Sequence, residues 1–328
     1  MKYGPIKRCA RAVLAMLAIG LAATAAHAQS GSGDAPKVAV SIPPSIFALP
    51  AYVGAQEGIF AQEGLDVELV VTTSPAESVS LLMGGNLQFA FIDIQNAILA
   101  VSNGMPVVVS VPHSTFAVEN PADGIGFGNI IVLDNSGINS VKDLEGKAIG
   151  TSSIGGISHL TFKDTLEAAG VDVSKINWVE VTTSRQIPSL RQGQVDAVIS
   201  AQPAIAMAMA EGGVRALATA DAAISGAPLF GLFSTKQWAS QNQETILKFQ
   251  NAFFRASERI KSDRGMVNRI LEQQLKIPAA IAPEVRLPNF AVAPFTVEGT
   301  QPLVDLLVRH GAIERGKVAD LNEFYVSR

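Results

Sequence analysis

A loop rich in serine and glycine lies between the short apolar run Ala148–Thr151 and a helix predicted to begin near Ile157. A helix N-terminus presents unpaired N–H groups and a partial positive charge, and glycines let a ligand approach the backbone. The loop residues that could hold an oxyanion in this way are Ser152, Ser153, Gly155, Gly156 and Ser158. The alternative is that these residues only cap the helix and form the turn.

A second candidate group follows the next predicted strand, which ends at Ser184. Arg185 comes directly after this strand, where its planar, charged guanidinium could bind a carboxylate or a sulfonate. Ser184 and Ser74 occupy corresponding positions in two similar parts of the chain. Arg185 could equally be a solvated residue of the first helical turn, and Thr-Thr-Ser is a common helix cap, so both interpretations stay open.

Further polar residues at predicted strand ends are Ser45, Asp93, Gln95 and Gln202. Ser45 is the side-chain donor of a proline-rich loop, and the other three follow predicted third strands. Asp93 could simply cap a helix that begins near Ile94. If its carboxylate were ionised in a pocket, it would oppose an anion and favour a ligand with an amino or hydroxyl donor.

These candidates recur because the chain contains an internal duplication with an offset of about 110 residues. Each copy has the pattern of a βαβαβ unit: the first strands begin at Lys37 and near Lys147, and the following helices end at Gly64 and Gly170. Apolar strands that alternate with helices indicate mostly parallel sheets flanked by helices. In such sheets ligands bind beyond the carboxyl ends of the strands, so two facing units predict one cleft between two lobes.

The predicted fold is therefore a two-lobed α/β fold with a discontinuous first lobe. Lobe one comprises 37–128 and 234–328, and lobe two comprises 129–233, with hinge crossings predicted at Asn129–Leu133 and Leu229–Ser234. With 48% hydrophobic and 16% charged residues, the chain can bury two substantial cores. Its formal charge of −4 argues against a nucleic-acid binder.

The first 28 residues have the pattern of a secretory signal. A basic start is followed by an apolar stretch, Ala12–Ala26, and by the small-residue site Ala26-His27-Ala28. Cleavage after Ala28 predicts a periplasmic protein that starts with a flexible segment, 29–36. The only cysteine, Cys9, lies in this signal, which excludes disulfides, thiol catalysis and cysteine-ligated metals in the mature chain.

The histidines and catalytic motifs bear on whether the chain could be an enzyme. His113, His159 and His310 are too scattered to suggest a metal-ligand pair, and the sequence has no HExxH, GxSxG or Walker loop. Capping is favoured for His310 and packing for His159, whereas the role of His113 stays open. The glycine cluster Gly124–Gly128 is interpreted as a flexible loop before the hinge. An enzyme is therefore not expected.

Several segments together resemble one family. Tyr52–Val67 resembles the opening signature of the nitrate/sulfonate/taurine-type (NMT1/THI5-like) substrate-binding proteins of ABC transporters. Val141–Gly150 resembles the family's entry to the second lobe, Leu190–Ala197 its third-strand signature, and Pro203 the proline after that strand. The resemblance runs from about Lys37 to the C-terminus.

This resemblance implies a type II periplasmic-binding-protein fold and a monomer that needs no cofactor or metal. It implies capture of a small solute, with an anionic carboxylate or sulfonate favoured, and delivery to an ABC permease with its cytoplasmic ATPase. The alternatives are a receptor of a tripartite secondary carrier and a small-molecule enzyme on the same fold. Pyrimidine-synthesising relatives use cysteine-rich motifs, and the mature chain has no cysteine.

Overall fold

The computed structural model describes residues 35–116, 122–219 and 224–326. The predicted signal peptide, 1–28, and residues 29–34 of the predicted flexible terminus lie outside this range. The described residues form three sheets, called here A, B and C, with helices around them. None of the described helices is long and apolar enough to cross a bilayer.

Sheets A and B are built from the first part of the chain, and sheet B also contains two strands from the C-terminal part. Sheet A is the parallel pair β1–β2, and sheet B has the order β11-β4-β10-β3 with antiparallel neighbours. A parallel bridge between Val40 and Phe89 joins β1 to the start of β3. The bounds are β1 Lys37–Ile42, β2 Asp66–Val71, β3 Ala90–Asp93, β4 Val107–Thr115, β10 Pro228–Thr235 and β11 Asn289–Phe290.

Sheet C contains the second copy of the duplicated unit, in the order β7-β6-β8-β5-β9. The strand β6 pairs in parallel with β7 and β8, and β5 pairs antiparallel with β8 and β9. The expected parallel arrangement thus describes the duplicated units, and strands such as β5 and β10 add antiparallel pairs. The bounds are β5 Gly128–Leu133, β6 Ala148–Thr151, β7 Asn177–Glu180, β8 Ala197–Ala201 and β9 Val214–Thr219.

Two predicted helix ends coincide with glycines in the structure. Gly64 and Gly170 have φ angles of 73° and 77°, the left-handed conformation that ends a helix at low cost, which confirms both predicted stops. The bounds are α1 Leu49–Gln56, α2 Ile59–Gln62, α3 Pro75–Met83, α4 Ile94–Ser102, α5 Ile157–Ala168, α6 Gln186–Arg191, α7 Ala204–Glu211, α8 Lys236–Gln241, α9 Gln243–Ser262, α10 Arg264–Leu275 and α11 Val297–Arg309.

The long helix α9 anchors the C-terminal part of the chain on the first part. Its buried residues Ile246, Phe249 and Phe253 recur at three- and four-residue spacing and form one apolar face. Phe249 stacks on Phe60, with ring centroids 5.0 Å apart, and packs on Phe89 at 4.6 Å. Helix α9 therefore belongs to the core built on sheets A and B, as predicted for this return segment.

The two segments predicted as hinge crossings are strands inside the sheets. Asn129–Leu133 lies in β5, between β8 and β9, and Leu229–Ser234 lies in β10, between β4 and β3. Both are apolar and largely buried, so their backbone groups need the partners that a sheet interior supplies. Along the chain, β4 of sheet B is followed by β5 of sheet C, and β9 of sheet C is followed by β10 of sheet B.

Candidate functional site

A cavity of about 980 Å³ lies between elements of sheets A and B on one side and of sheet C on the other. Its lining includes the turn after β1, the ends of β4 and β8, the loop after β6 and the start of α6. Pockets of this size typically bind small molecules. Four predicted site residues line this cavity, namely Ser45, Ser152, Ser158 and Gln202.

Each of these four residues is placed by a strand end or a helix start. Ser45 precedes a 3-10 helix and its hydroxyl makes no capping hydrogen bond, whereas Ser152 and Ser158 are exposed at the end of β6 and the first turn of α5. Gln202 is buried, and its Oε1 accepts a hydrogen bond from the Ala206 N–H at 3.3 Å. The hydroxyls of the serines are therefore the more available groups.

Two other predicted residues, both outside the cavity lining, cap helices. Ser74 accepts a hydrogen bond from the Glu77 N–H, and Asp93 accepts one from the Asn96 N–H at 2.8 Å, so both cap helices. The capping interpretation of Asp93 is thereby confirmed. Arg185 is exposed at the N-cap position of α6 and lies outside the lining, as do Ser153, Gly155, Gly156, Gln95 and Ser184.

Three backbone donors of the serine- and glycine-rich loop are used within the protein. The Gly155 N–H donates to His159 Nδ1 at 3.0 Å, and the Gly156 N–H donates to the Ser153 carbonyl at 3.2 Å. The Ile154 N–H donates to a carboxylate oxygen of Glu180. These three amides therefore have partners within the protein, and the idea that the loop and the start of α5 hold an oxyanion stays a prediction. The loop also offers the hydroxyls of Ser152 and Ser158 to a ligand.

Gln95 links the two sides of the molecule instead of facing the cavity. Its Nε2 donates to the Gly155 carbonyl at 2.9 Å, which ties the start of α4 to the loop after β6. Gly155 has a φ of 81°, a conformation that side chains rarely tolerate. The glycine thus lets the loop turn back so that its carbonyl reaches Gln95.

Aromatic rings form much of the cavity wall. Phe47, Phe127 and Phe230 line it, and the Phe47 ring lies 4.5 Å from that of Phe230 and 5.2 Å from that of Phe127. Behind them, Phe91 stacks on Phe230 with centroids 4.6 Å apart. These rings come from separate elements and pack into one cluster that borders the cavity.

His113 belongs to the same aromatic cluster, behind the cavity wall. It is 2% exposed, and its ring lies 4.9 Å from that of Phe91. Burial lowers its pKa to about 3, despite a 3.0 Å contact of Nε2 with the Phe47 carbonyl that favours the charged form. At neutral pH the imidazole is therefore uncharged, and it fixes the backbone of Phe47.

The cavity has a cationic border. Lys261, Arg264 and Arg286 line it, and among the lining residues that the structure describes there is no carboxylate. Arg264 donates to the carbonyls of three residues of the 282–285 segment, and Arg286 forms an ion pair with Asp123. Arg264 therefore holds its own segment in place while it contributes positive charge, which favours an anionic ligand.

Two polar side chains that line the cavity are buried without a hydrogen-bond partner. Gln186 is 2% exposed and its Oε1 has none; Ser200 is 3% exposed and its Oγ has none. Buried polar groups in native proteins are almost always hydrogen-bonded, because an unpaired group loses its water without compensation. Because their residues line the cavity, these are two unpaired polar atoms in its wall that a ligand could satisfy.

One group of side chains has the composition of a metal site. Asp164, Glu167 and His310 place one ligand atom each within 4.8 Å of one another, where α5 meets the end of α11. Asp164 Oδ1, which lies 3.5 Å from His310 Nε2, however, also pairs with the Arg309 guanidinium, a cation that already neutralises it. His310 is the C-cap residue of α11, as predicted, and the group is assigned here as an ion-pair cluster.

Sequence reasoning missed the cavity residues Phe47, Phe230, Gln186 and Lys261. The glycine cluster was interpreted as a flexible loop, yet its residues 125–128 line the cavity. A usable signal existed for Phe47 and Gln186, because each lies within two residues of a predicted site residue, Ser45 or Arg185. Lys261 and Phe230 gave no local signal, because only the fold brings them to the cavity.

Comparisons with known proteins agree with this architecture. A family model described as NMT1/THI5 like matches residues 47–263. The formylaminopyrimidine-binding protein of Halalkalibacterium halodurans is 32% identical over 45% of this chain and 42% of its own length. The 4-amino-5-hydroxymethyl-2-methylpyrimidine phosphate synthase of Schizosaccharomyces pombe is 24% identical over 45% of this chain and 39% of its length. The chain thus spans less than half the length of these relatives.

A solved structure matches over almost the whole chain. The periplasmic aliphatic sulphonate binding protein SsuA of Escherichia coli superposes with a TM-score of 0.74 at 19% identity, covering 89% of this chain and 97% of that chain. This likeness shows the two-lobed periplasmic-binding-protein fold, as predicted. With the family model matching well over half of its residues, the chain belongs to the NMT1/THI5-like family.

Proposed function

We propose that this protein is the periplasmic solute-binding component of an ABC importer and that it captures a small organic anion, a carboxylate or a sulfonate. The observation that carries this proposal is the cavity of about 980 Å³ with Lys261 and Arg264 in its lining, beside Arg286, which is paired with Asp123. Positive potential in a cleft attracts anions and strengthens their binding. The serine hydroxyls of Ser152 and Ser158 add hydrogen-bond donors for an acidic group.

The cavity position supports capture by closure of two lobes. Its lining comes from elements of sheets A and B and from elements of sheet C, so a bound solute contacts both sides. A ligand that contacts both sides stabilises the closed arrangement, and a permease can recognise that arrangement. The partners proposed on this basis are an ABC permease and its ATPase.

We expect small carboxylates or sulfonates to stabilise the purified protein, whereas neutral compounds of similar size do not. A ligand that binds only the native state stabilises it by about 2.7 kcal/mol at a hundredfold excess over Kd. Thermal unfolding with sulfonates, nitrate, carboxylates and neutral pyrimidines measures this effect. Stabilisation by neutral pyrimidines alone would contradict the proposed anion preference.

A pyrimidine is the second candidate ligand. The specific observation in its favour is the 32% identity to a protein named as formylaminopyrimidine-binding, together with the aromatic wall of the cavity. Another relative, 24% identical to this chain, is named as a synthase, so the recovered compound also needs inspection. Mass spectrometry of the solute after incubation distinguishes binding, which leaves it unchanged, from catalysis.

The proposed periplasmic location predicts a mature chain that begins at Gln29. The small residues Ala26 and Ala28 suit signal peptidase, and Cys9 precedes the cleavage site and therefore cannot carry a lipid in the mature protein. The intact mass of protein purified from the periplasm checks this prediction. A mass that includes residues 1–28, or a lipid adduct, would contradict the proposed soluble periplasmic form.

A further inference from the structure

The wall formed by Phe47, Phe127 and Phe230 suits a flat ring. Each of these side chains is half-buried and lines the cavity, so each packs on protein and also borders the open space. Aromatic rings attract one another when their centroids lie roughly 4.5–7 Å apart in offset or edge-on arrangements. A planar ligand ring gains these contacts in addition to burial, whereas a saturated chain gains burial alone.

The buried polar atoms of the cavity add a second requirement. Gln186 Oε1 can only accept a hydrogen bond, and Ser200 Oγ can accept or donate one. Gln186 begins α6 and Ser200 lies on β8, so both belong to the side of the cavity built on sheet C. A ligand that places a hydroxyl or amino group here satisfies an acceptor that otherwise stays unpaired.

The positive charges come from other elements. Lys261 lies near the end of α9 and Arg264 at the start of α10, and α9 packs in the core of sheets A and B. The cavity therefore has cations on elements of one side and unpaired buried polar atoms on elements of the other, with aromatic rings in its wall. One compact molecule with an acidic group, a ring and a donor matches all three features.

We propose that the solute is an aromatic acid whose ring carries a hydroxyl or amino donor, with the ring against Phe47, Phe127 and Phe230 and the donor at Gln186 Oε1. This inference rests on the proposed function as an organic-anion-binding protein. It goes further because it separates aromatic from aliphatic acids and identifies Gln186 as a specificity-determining residue.

Matched compounds test the ring. Isothermal titration calorimetry with benzoate, cyclohexanecarboxylate, benzenesulfonate and cyclohexanesulfonate compares flat and saturated rings at constant charge. We expect the aromatic member of the pair that binds to be roughly three- to tenfold tighter, the range of an aromatic pair contribution. Equal affinity of the saturated partner would overturn the ring assignment and leave the anion-binding function intact. Binding of neither carboxylates nor sulfonates would overturn the proposed function itself.

A variant tests the donor. 4-Hydroxybenzoate should bind wild-type protein roughly tenfold more tightly than benzoate, and Gln186→Leu should remove this advantage while benzoate affinity is retained. Gln186→Leu replaces a buried amide whose Oε1 has no hydrogen-bond partner by an apolar side chain of similar size, so we expect it to fold. Gln192→Leu, at the exposed C-cap of the same helix, is the control and should bind both compounds as wild type does.

The remaining outcomes decide against the proposal. If Gln186→Leu lowers the affinity for both compounds equally, Gln186 shapes the cavity and does not recognise a donor. If wild-type protein binds benzoate and 4-hydroxybenzoate equally, no donor is recognised. In either case the assignment of Gln186 is wrong, and the comparison of aromatic with saturated acids still judges the ring independently.

Discussion

Ser152→Asp lowers the affinity for an organic anion roughly tenfold or more, whereas Ser153→Asp binds the anion as wild type does. Ser152 lines the cavity and Ser153 does not, although both are exposed neighbours in the loop after β6. Two negative charges about 4 Å apart repel by about 1 kcal/mol in bulk water and about 4 kcal/mol at an effective dielectric constant of 20. Ser152 is exposed but lines the cavity, so we expect a repulsion between these two energies.

The pair of variants separates local repulsion from net charge, because each adds the same charge one residue apart. Titration calorimetry with benzoate or benzenesulfonate, at low and high salt, measures the difference. High salt should shrink it, since ions screen exposed charges. Equal losses of affinity in the two variants would show a general effect of net charge, and full affinity of Ser152→Asp would show that the loop is not part of the binding site.

Arg185→Ala should bind the anion as wild type does, because Arg185 lies outside the lining.

Much of the fold was predictable because its signals are local. A helix start at Ile157 follows from a Ser-Gly loop, and helix ends at Gly64 and Gly170 follow from the conformational freedom of glycine. The duplication identified which strands and helices repeat, and the elements of sheet C follow the predicted order of strands and helices. The helix boundaries use residues within a few positions of one another, and the duplication compares two such local patterns about 110 residues apart.

The crossings between sheets were not predictable in the same way. An apolar extended run looks the same whether it connects two lobes or lies inside a sheet, and only the pairing decides. Asn129–Leu133 pairs with β8 and β9, which lie some 70–90 residues further along the chain. Such long-range pairings depend on the whole topology and leave no trace in the run itself.

The site residues, too, were predictable only where neighbouring residues in the sequence indicated them. Strand ends located the cavity correctly at Ser45, Ser152 and Ser158. At the start of α6, however, Arg185 is exposed and its neighbour Gln186 is buried in the cavity lining, because consecutive helical residues point in directions about 100° apart. The charge of Arg185 made it the predicted binding residue, whereas the direction of the side chains on the helix places Gln186 in the cavity lining.

Lowering the pH from 7 to 5 reduces the free energy of unfolding because His113 is buried as a neutral base. Its pKa is about 3 in the folded protein and 6.5 when exposed, so below pH 6.5 the unfolded chain binds a proton that the folded chain refuses. Stability is therefore complete above pH 6.5 and falls by up to about 1.4 kcal/mol per pH unit toward pH 3. His159, whose pKa burial lowers to about 4, adds a similar loss.

Urea unfolding at pH 7, 6 and 5 checks this expectation against two variants. His113→Gln should be less stable than wild type at pH 7, because it disturbs the contact with the Phe47 carbonyl, yet it should lose about 2 kcal/mol less between pH 7 and 5. His159→Gln should reduce the loss of stability between pH 7 and 5 by a comparable amount. The stability of the double variant should be nearly independent of pH in this range. Exposed carboxylates have pKa values near 4, so they stay largely ionised between pH 7 and 5 and contribute little to this difference. A wild-type pH dependence retained in His113→Gln would show that His113 accepts its proton in the folded state, against the burial seen behind the cavity wall.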